Sequence, residues 1–166
     1  WNKLELTKAC LRSFSFSEKS EVIIIDNGST DGSYEWINKN YPNIKIIKTQ
    51  NINLANSRNI GLPYCKGDLI FQTDDDARPL PDWIEKLEKA HTRYPAAGVI
   101  GGDIIDAGGR SYLSQIADTA TFPHHFSTCE VRSVPGVNSS YKKEVISQVG
   151  EYDETLFRGE DVDYNW

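Results

Sequence analysis

Residues 21–37 read EVIIIDNGSTDGSYEWI, and this stretch decides the fold class. Val22 to Ile25 form a short β-branched apolar run, the composition of a buried strand, which stops abruptly at Asp26. Asn27, Gly28, Ser29, Thr30 and Asp31 are turn and helix-capping residues, and beyond them Tyr34, Ile37 and Tyr41 recur on one helical face until Pro42. Buried strand, tight turn and helix in succession form the repeating unit of a parallel α/β sheet.

The alternation continues in both directions. Upstream, LELTKACLRSFSF (4–16) places Leu6, Cys10, Leu11 and Phe14 at helical spacing. Downstream, NIKIIKT (43–49) reads as a second strand, LANSRNIG (54–61) as a helix closed by Gly61, and GDLIFQT (67–73) as a third strand running into Asp74, Asp75 and Asp76. RPLPDWIEKLEKAHTRYP (78–95) is loop and helix, with Asp82 the expected N-cap, Glu85 three residues on, and a stripe of Trp83, Leu87, Ala90 and Tyr94. AGVIGGDII (97–105) is a fourth strand, residues 107–134 carry a weak pattern, and SSYKKEVISQVG (139–150) is expected to be a helix on Tyr141, Val145 and Val149. The expected fold is therefore α/β: a mainly parallel sheet with helices on both faces. Ligands of such sheets bind beyond the carboxyl ends of the strands, where DNGSTDG and TDDD both fall.

Composition narrows the function. The 166 residues carry a net charge of −6, which argues against a general binder of nucleic acid or anionic membrane, since either needs clustered positive charge. Cys10, Cys65 and Cys129 lie far apart with no C-x-x-C pair, so reduced, mostly buried thiols are expected. Purely apolar runs of about four residues cannot span a bilayer, and with no secretory signal a cytosolic setting is expected. The chain has no Met and begins at Trp1, so it is expected to be part of a longer protein.

Four motifs carry chemistry. Three adjacent carboxylates at the end of a buried strand repel one another unless a cation sits there. On an extended chain Asp74 and Asp76 would face one site and Asp75 the other side, and hard oxygen ligands favour Mg2+ or Mn2+. The plain alternative is a solvated acidic turn. Asp26 in IDNGSTDG offers acceptors to ligand N–H groups, such as a base edge, or belongs to a well-capped turn. Arg58 in ANSRNIG either pairs with Asp26 or a carboxylate of the triplet, or contacts a diphosphate or base carbonyl. RGEDVDY (158–164) brings Glu160, Asp161 and Asp163, one of which could act as a general base if partly desolvated, or remain a solvated turn. His124 and His125 are assigned surface or packing roles, Trp36 and Trp83 core roles. Tyr152 and Phe157 are the better candidates for contact with an acceptor ring.

The ordered set VIIIDNGSTDGSYEWI, NINLANSRNIGL, GDLIFQTDDDARPLPDWIEKL and VPGVNSSYKKEVISQVGEYDETLFRGEDVDY resembles the family 2 glycosyltransferases, inverting enzymes of the Rossmann-like GT-A fold. The resemblance spans nearly the whole chain and implies a partial catalytic domain over residues 1–166, with a nucleotide-binding part (1–106) and an acceptor-side part (107–166). By it, Asp26, Asn27, Ser29, Arg58, Asp74 and Asp75 would contact the nucleotide. Asp74 and Asp76 would form the Asp-x-Asp motif, with Asp76 the direct ligand of Mn2+ or Mg2+. Asp161 would be the catalytic base, Glu160 would help order the acceptor, and Gly136 and Asn138 would line the cleft for donor sugar and acceptor. The implied partners are a UDP-, GDP- or dTDP-sugar and a saccharide or lipid-linked acceptor in polysaccharide or cell-envelope synthesis, with the whole protein peripheral at the inner face of the membrane. The family pattern normally opens with a strand of the type VSVIIPTYNR and continues past the Glu-Asp segment. The isolated piece is accordingly expected to be inactive or aggregation-prone. A haloacid-dehalogenase-type phosphohydrolase also uses Asp-x-Asp, but its Thr or Val two residues on is Arg78 here, and IDNGSTDG and GEDVD go unexplained. A non-catalytic nucleotide or metal binder is the third reading.

Overall fold

The computed structural model describes residues 2–15, 19–105, 127–156 and 158–165. In chain order the elements are α1 (Leu4–Ser13), β1 (Ile23–Asp26), α2 (Ser33–Asn40), β2 (Lys45–Lys48), α3 (Leu54–Gly61), a 3-10 turn (Leu62–Tyr64), β3 (Leu69–Gln72), α4 (Trp83–Arg93) and β4 (Val99–Gly101). A second 3-10 turn (Gly136–Asn138) leads into β5 (Ser139–Lys142), α5 (Lys143–Val149) and α6 (Glu160–Tyr164). Strands and helices alternate as expected for an α/β protein. None of the described helices is long and apolar enough to cross a membrane.

β1 and β2 pair in parallel, Ile23 opposite Lys45 through Asp26 opposite Lys48. β5 lies antiparallel between β3 and β4, with Gln72 and Gly101 both opposite Ser139. This strand corrects the helix expected over 139–150: its first four residues are extended, and the helix begins only at Lys143. Tertiary packing overrides the helical spacing. Ser139, Ser140 and Tyr141 are almost wholly buried, and the Ser140 hydroxyl donates to Ile100 O at 2.9 Å while lying 2.9 Å from His91 Nε2. Val149, the last residue of the supposed stripe, is half exposed.

A tyrosine cluster forms the core beneath the later elements. Tyr152 stacks on Tyr164 with ring centroids 3.8 Å apart, and Tyr141 meets Tyr164 edge-on at 5.8 Å. Ala55 closes the cluster, with Leu62, Val99 and Ile146 packed around it. Tyr152 is therefore a core residue and not an acceptor platform; His124, His125 and Phe157 lie outside the described residues.

α1 docks across two loops. Its first N–H groups have no partner within the helix, and Asp31 Oδ2 accepts from Leu4 N at 2.8 Å, a cap supplied from the β1–α2 loop. The Ser33 hydroxyl, with the Leu4 and Ser33 amides, holds the Asp31 carboxyl below its usual range. Thr7, Cys10 and Leu11 are the buried face, whereas Leu6 points outward, contrary to the expected stripe. Asp82 precedes α4, but its side chain makes no cap bond and pairs with Lys86 at 2.9 Å instead.

None of the three cysteines is in a disulfide; Cys10 is buried, Cys65 half-buried and Cys129 exposed, so the last departs from the expectation of mostly buried thiols. Burial, reinforced by the carboxylates of Asp75, Asp76 and Asp74, pushes the Cys10 thiol up to about 11. Since the thiolate is the reacting form, iodoacetamide at pH 8 should alkylate Cys129 first and Cys10 last, as read by peptide mass spectrometry. Labelling of Cys10 as fast as Cys129 would mean that α1 does not dock as described.

Candidate active site

Asp26 ends β1 at 5% exposure. Its backbone carbonyl accepts from Gly28 N (2.8 Å) and Thr49 N (2.9 Å), and its Oδ1 accepts from Ser29 N (2.9 Å). Oδ2 is buried with no hydrogen-bond partner among the described residues. A buried acceptor left unmade costs about 1–3 kcal/mol, so this oxygen is open to a further donor. The loop around it is tight: Asn27 Nδ2 donates to Asn51 Oδ1 at 3.1 Å, and the Thr49 hydroxyl donates to Asn27 Oδ1 at 3.3 Å. Gly28 sits at φ +77°, and a Cβ there would stand 3.3 Å from Asn51 N, so both conformation and space call for glycine.

At the end of β3 the chain does not stay extended. Ala77 N donates to Asp74 O at 3.2 Å, closing a turn, and this removes the simple alternation expected of Asp74, Asp75 and Asp76. Asp75 Oδ2 accepts from the Thr7 hydroxyl (3.0 Å) and Asp76 Oδ2 from Lys3 Nζ (3.0 Å), so both reach α1 and its approach. Asp74 alone faces inward. Burial pushes its carboxyl above the usual range; the Arg58 guanidinium opposes this, while Asp76, Asp75 and Asp161 add to it. Among the described residues no three His, Cys, Asp or Glu side chains stand grouped as a metal site.

Arg58 pairs with Glu160, not with Asp26 or the triplet. The two side chains are 12% and 6% exposed, so this is a buried ion pair. Arg58 also lies over the Tyr152 ring, 5.3 Å from its centroid. Glu160 is thereby committed to Arg58. The next residue, Asp161, accepts from Gly136 N at 2.9 Å through Oδ2 and from Val162 N at 2.9 Å through Oδ1. Gly136 belongs here because a Cβ would come within 2.5 Å of Arg58 Nη2 and 2.8 Å of Gln72 Nε2. Asn138 is held from two sides, its Oδ1 by the Trp83 indole N–H (2.8 Å) and its Nδ2 by Asp103 O (2.9 Å).

α3 positions more than Arg58. Asn53 caps the helix, accepting from Asn56 N at 2.8 Å, and its own Nδ2 donates to Glu154 O at 2.8 Å. Asn56 and Asn59 donate to the two Glu154 carboxylate oxygens at 3.0 and 2.9 Å, which hold that carboxyl below its usual range. Asn59 also brackets Tyr152, donating to its O (2.9 Å) and accepting from its N (2.8 Å). The sequence reading passed over these asparagines, together with Gln72 and Tyr164. Their spacing of three along α3 was the available signal.

The structure therefore brings Arg58, Asp74, Gly136, Glu160 and Asp161 together, with Asp26 at the carboxyl end of the other sheet. An α/β protein with acidic groups gathered beyond its strand ends is the class that fold and site define. The sequence profile of Glycosyl transferase family 2 matches residues 1–150, and the chain belongs to that family. It is 29% identical over 149 residues to the glucosyl-dolichyl phosphate glucuronosyltransferase of Haloferax volcanii, covering 82% of this chain and 47% of that protein. It is 27% identical over 156 residues to the chondroitin synthase of Pasteurella multocida, covering 80% of this chain and 16% of that one. Among solved structures, S. aureus TarS superposes with a TM-score of 0.79 at 17% identity, over 99% of this chain and 51% of that chain. The mannosyltransferase PcManGT from Pyrobaculum calidifontis, in complex with GDP-Man and Mn2+, superposes at 0.73 and 19% identity over 99% and 48%. The chain thus spans about half the length of these relatives, or less. The GT-A fold implied by the motifs is the fold they share, and family membership removes the phosphohydrolase reading.

Proposed function

We propose that the protein transfers a sugar from a nucleotide-diphosphate sugar to an acceptor hydroxyl with inversion, and that Asp161 is the base. The observation carrying this reading is the convergence of Asp74, Arg58 and Asp161 beyond β3, where burial already raises Asp74. By donor chemistry Asp74 and Asp76 suit a hard divalent cation, and Arg58 is already matched by Glu160. The described carboxylates are not gathered around one point, so Asp76 would have to exchange Lys3 for the ion that Asp74 borders. Bound there, the ion would neutralise charge on the diphosphate leaving group.

Asp26 Oδ2 accepts an N–H from the nucleotide base, with Asn27 and Ser29 shaping the loop and Arg58 and Asp75 bordering the diphosphate. Gly136 and Asn138 border the donor sugar and acceptor, and Glu160 acts on the acceptor side by anchoring α6. Asp161 accepts the acceptor hydroxyl proton as that oxygen bonds to the anomeric carbon. The bond from that carbon to the diphosphate breaks on the opposite face, so the anomeric centre inverts in one step. No carboxylic acid is required at the leaving oxygen, unlike glycoside hydrolysis. Residues 1–106 take the nucleotide and residues 107–166 the acceptor, a saccharide or lipid-linked sugar. Structures of TarS with UDP-GlcNAc and of the Pyrobaculum enzyme with GDP-Man and Mn2+ support the donor class.

The test is calorimetric titration of the full-length protein with UDP-, GDP- and dTDP-sugars, with and without MnCl2, beside Asp76→Ala and Asp74→Asn. One nucleotide class should bind in a Mn2+-dependent manner that both substitutions abolish. Binding of none, or binding indifferent to both substitutions, would refute the reading.

A further inference from the structure

The side chain of Gln72 is the one polar group of β3, and both of its ends are committed to residues that contact α6, the helix of Asp161. β3 alternates: Phe71 packs on the Trp83 ring, 5.9 Å between centroids, so Gln72 projects from the other face, opposite Ser139 in the β5 register. Its Nε2 donates to Gly136 O at 3.1 Å, and its Oε1 accepts from the Tyr152 hydroxyl at 3.2 Å. Burial pushes the Tyr152 phenol far above its usual range, so the hydroxyl keeps its proton. The amide orientation follows from the Gly136 carbonyl, which can only accept: Nε2 faces Gly136 and Oε1 takes the Tyr152 hydroxyl.

Each contact leads to Asp161. Gly136 offers its N–H to Asp161 Oδ2, while its carbonyl is saturated by Gln72 and by the Ser139 hydroxyl at 3.3 Å. Tyr152 stacks on Tyr164, which shares α6 with Asp161, and lies beneath Arg58, which binds Glu160 on the same helix. Two residues further along the chain, Gln72 is followed by Asp74. One amide thus ties the strand that delivers Asp74 to both supports of Asp161.

We propose that Gln72 is a positioning residue that sets the Asp161 carboxylate relative to Asp74. The proposal rests on the reading of Asp161 as base. It touches no reacting atom, so its effect belongs in turnover and not in donor binding; a displacement of about 1 Å can cost on the order of 100-fold in rate.

The experiment compares full-length wild type with Gln72→Leu, which keeps the bulk and removes both bonds, and Tyr152→Phe, which removes one. Gln72→Leu should lower kcat by about 10- to 100-fold with donor KM within about twofold of wild type, and Tyr152→Phe should lower it less. Hydrogen exchange, followed without any substrate, should quicken in 134–140 and 159–165 in both variants and stay unchanged in 23–30. An unchanged kcat, or kcat and KM deteriorating together with faster exchange everywhere, would overturn the assignment in favour of a purely structural role. Absence of transfer in wild type would instead fail the transferase reading. In that event unchanged exchange at 134–140 and 159–165 overturns the positioning role, and local quickening upholds the coupling of Gln72 to the Asp161 segment.

Discussion

With Asp161 as the proposed base, Asp161→Asn is expected to lower the turnover of sugar transfer by about 10²- to 10⁴-fold, the usual contribution of a general base, and to leave donor affinity within error of wild type. The substitution is nearly isosteric. Its side-chain carbonyl can still accept from Gly136 N, which holds the 135–138 turn, while the amide nitrogen gives up the exposed bond from Val162 N and the proposed proton acceptor is lost. Steady-state kcat and calorimetric donor binding separate the two effects. Full turnover in Asp161→Asn would move the base elsewhere, and a parallel loss of donor binding would put Asp161 on the nucleotide side.

The second large effect is on stability. Arg58→Met strands the Glu160 carboxylate, 6% exposed, without its partner, and breaking one side of a buried pair costs about 3–5 kcal/mol. At roughly 2–4 °C per kcal/mol for a domain of this size, Tm should fall by about 10 °C. Glu160→Met should be milder, because the released guanidinium still lies in the field of the Asp74 carboxylate. The double substitution buries no unpaired charge and should recover much of the loss in thermal melts. If Arg58→Met melts like wild type, the pair is solvent-screened and not buried.

Much of this arrangement was legible because strand and helix periodicity is a local property. The Val22–Ile25 run, the DNGSTDG turn and the helices at 4–13, 54–61 and 83–93 fall where their own residues put them. β5 was not legible, since serine favours neither strand nor close packing on its own, and only tertiary contacts with Ile100 and His91 make Ser140 a core residue. Site residues followed the same division. Asp26, Asp74 and Asp161 stand out by motif, but the groups they contact do not. Arg58 meets a carboxylate 102 residues away, Lys3 one 73 residues away, and Gly136 a carboxylate on α6. Such pairings leave no local periodicity to read. At Asp75 and Asp76 the structure takes the turn, the alternative the sequence left open beside an extended run, because a backbone hydrogen bond folds the chain there.

The asparagine clamp of α3 has a consequence for how the molecule is made. Asn53, Asn56 and Arg58 reach Glu154 and Glu160 across 101, 98 and 102 residues. Contacts of that span repay their loop-closure entropy late, after the local elements exist. During synthesis α3 leaves the ribosome about a hundred residues before the segment it must grip. Its row of side-chain amides therefore waits in water, a polar template that stays soluble while unpaired, until the acidic segment at 154–161 arrives and that wall of the cleft is set.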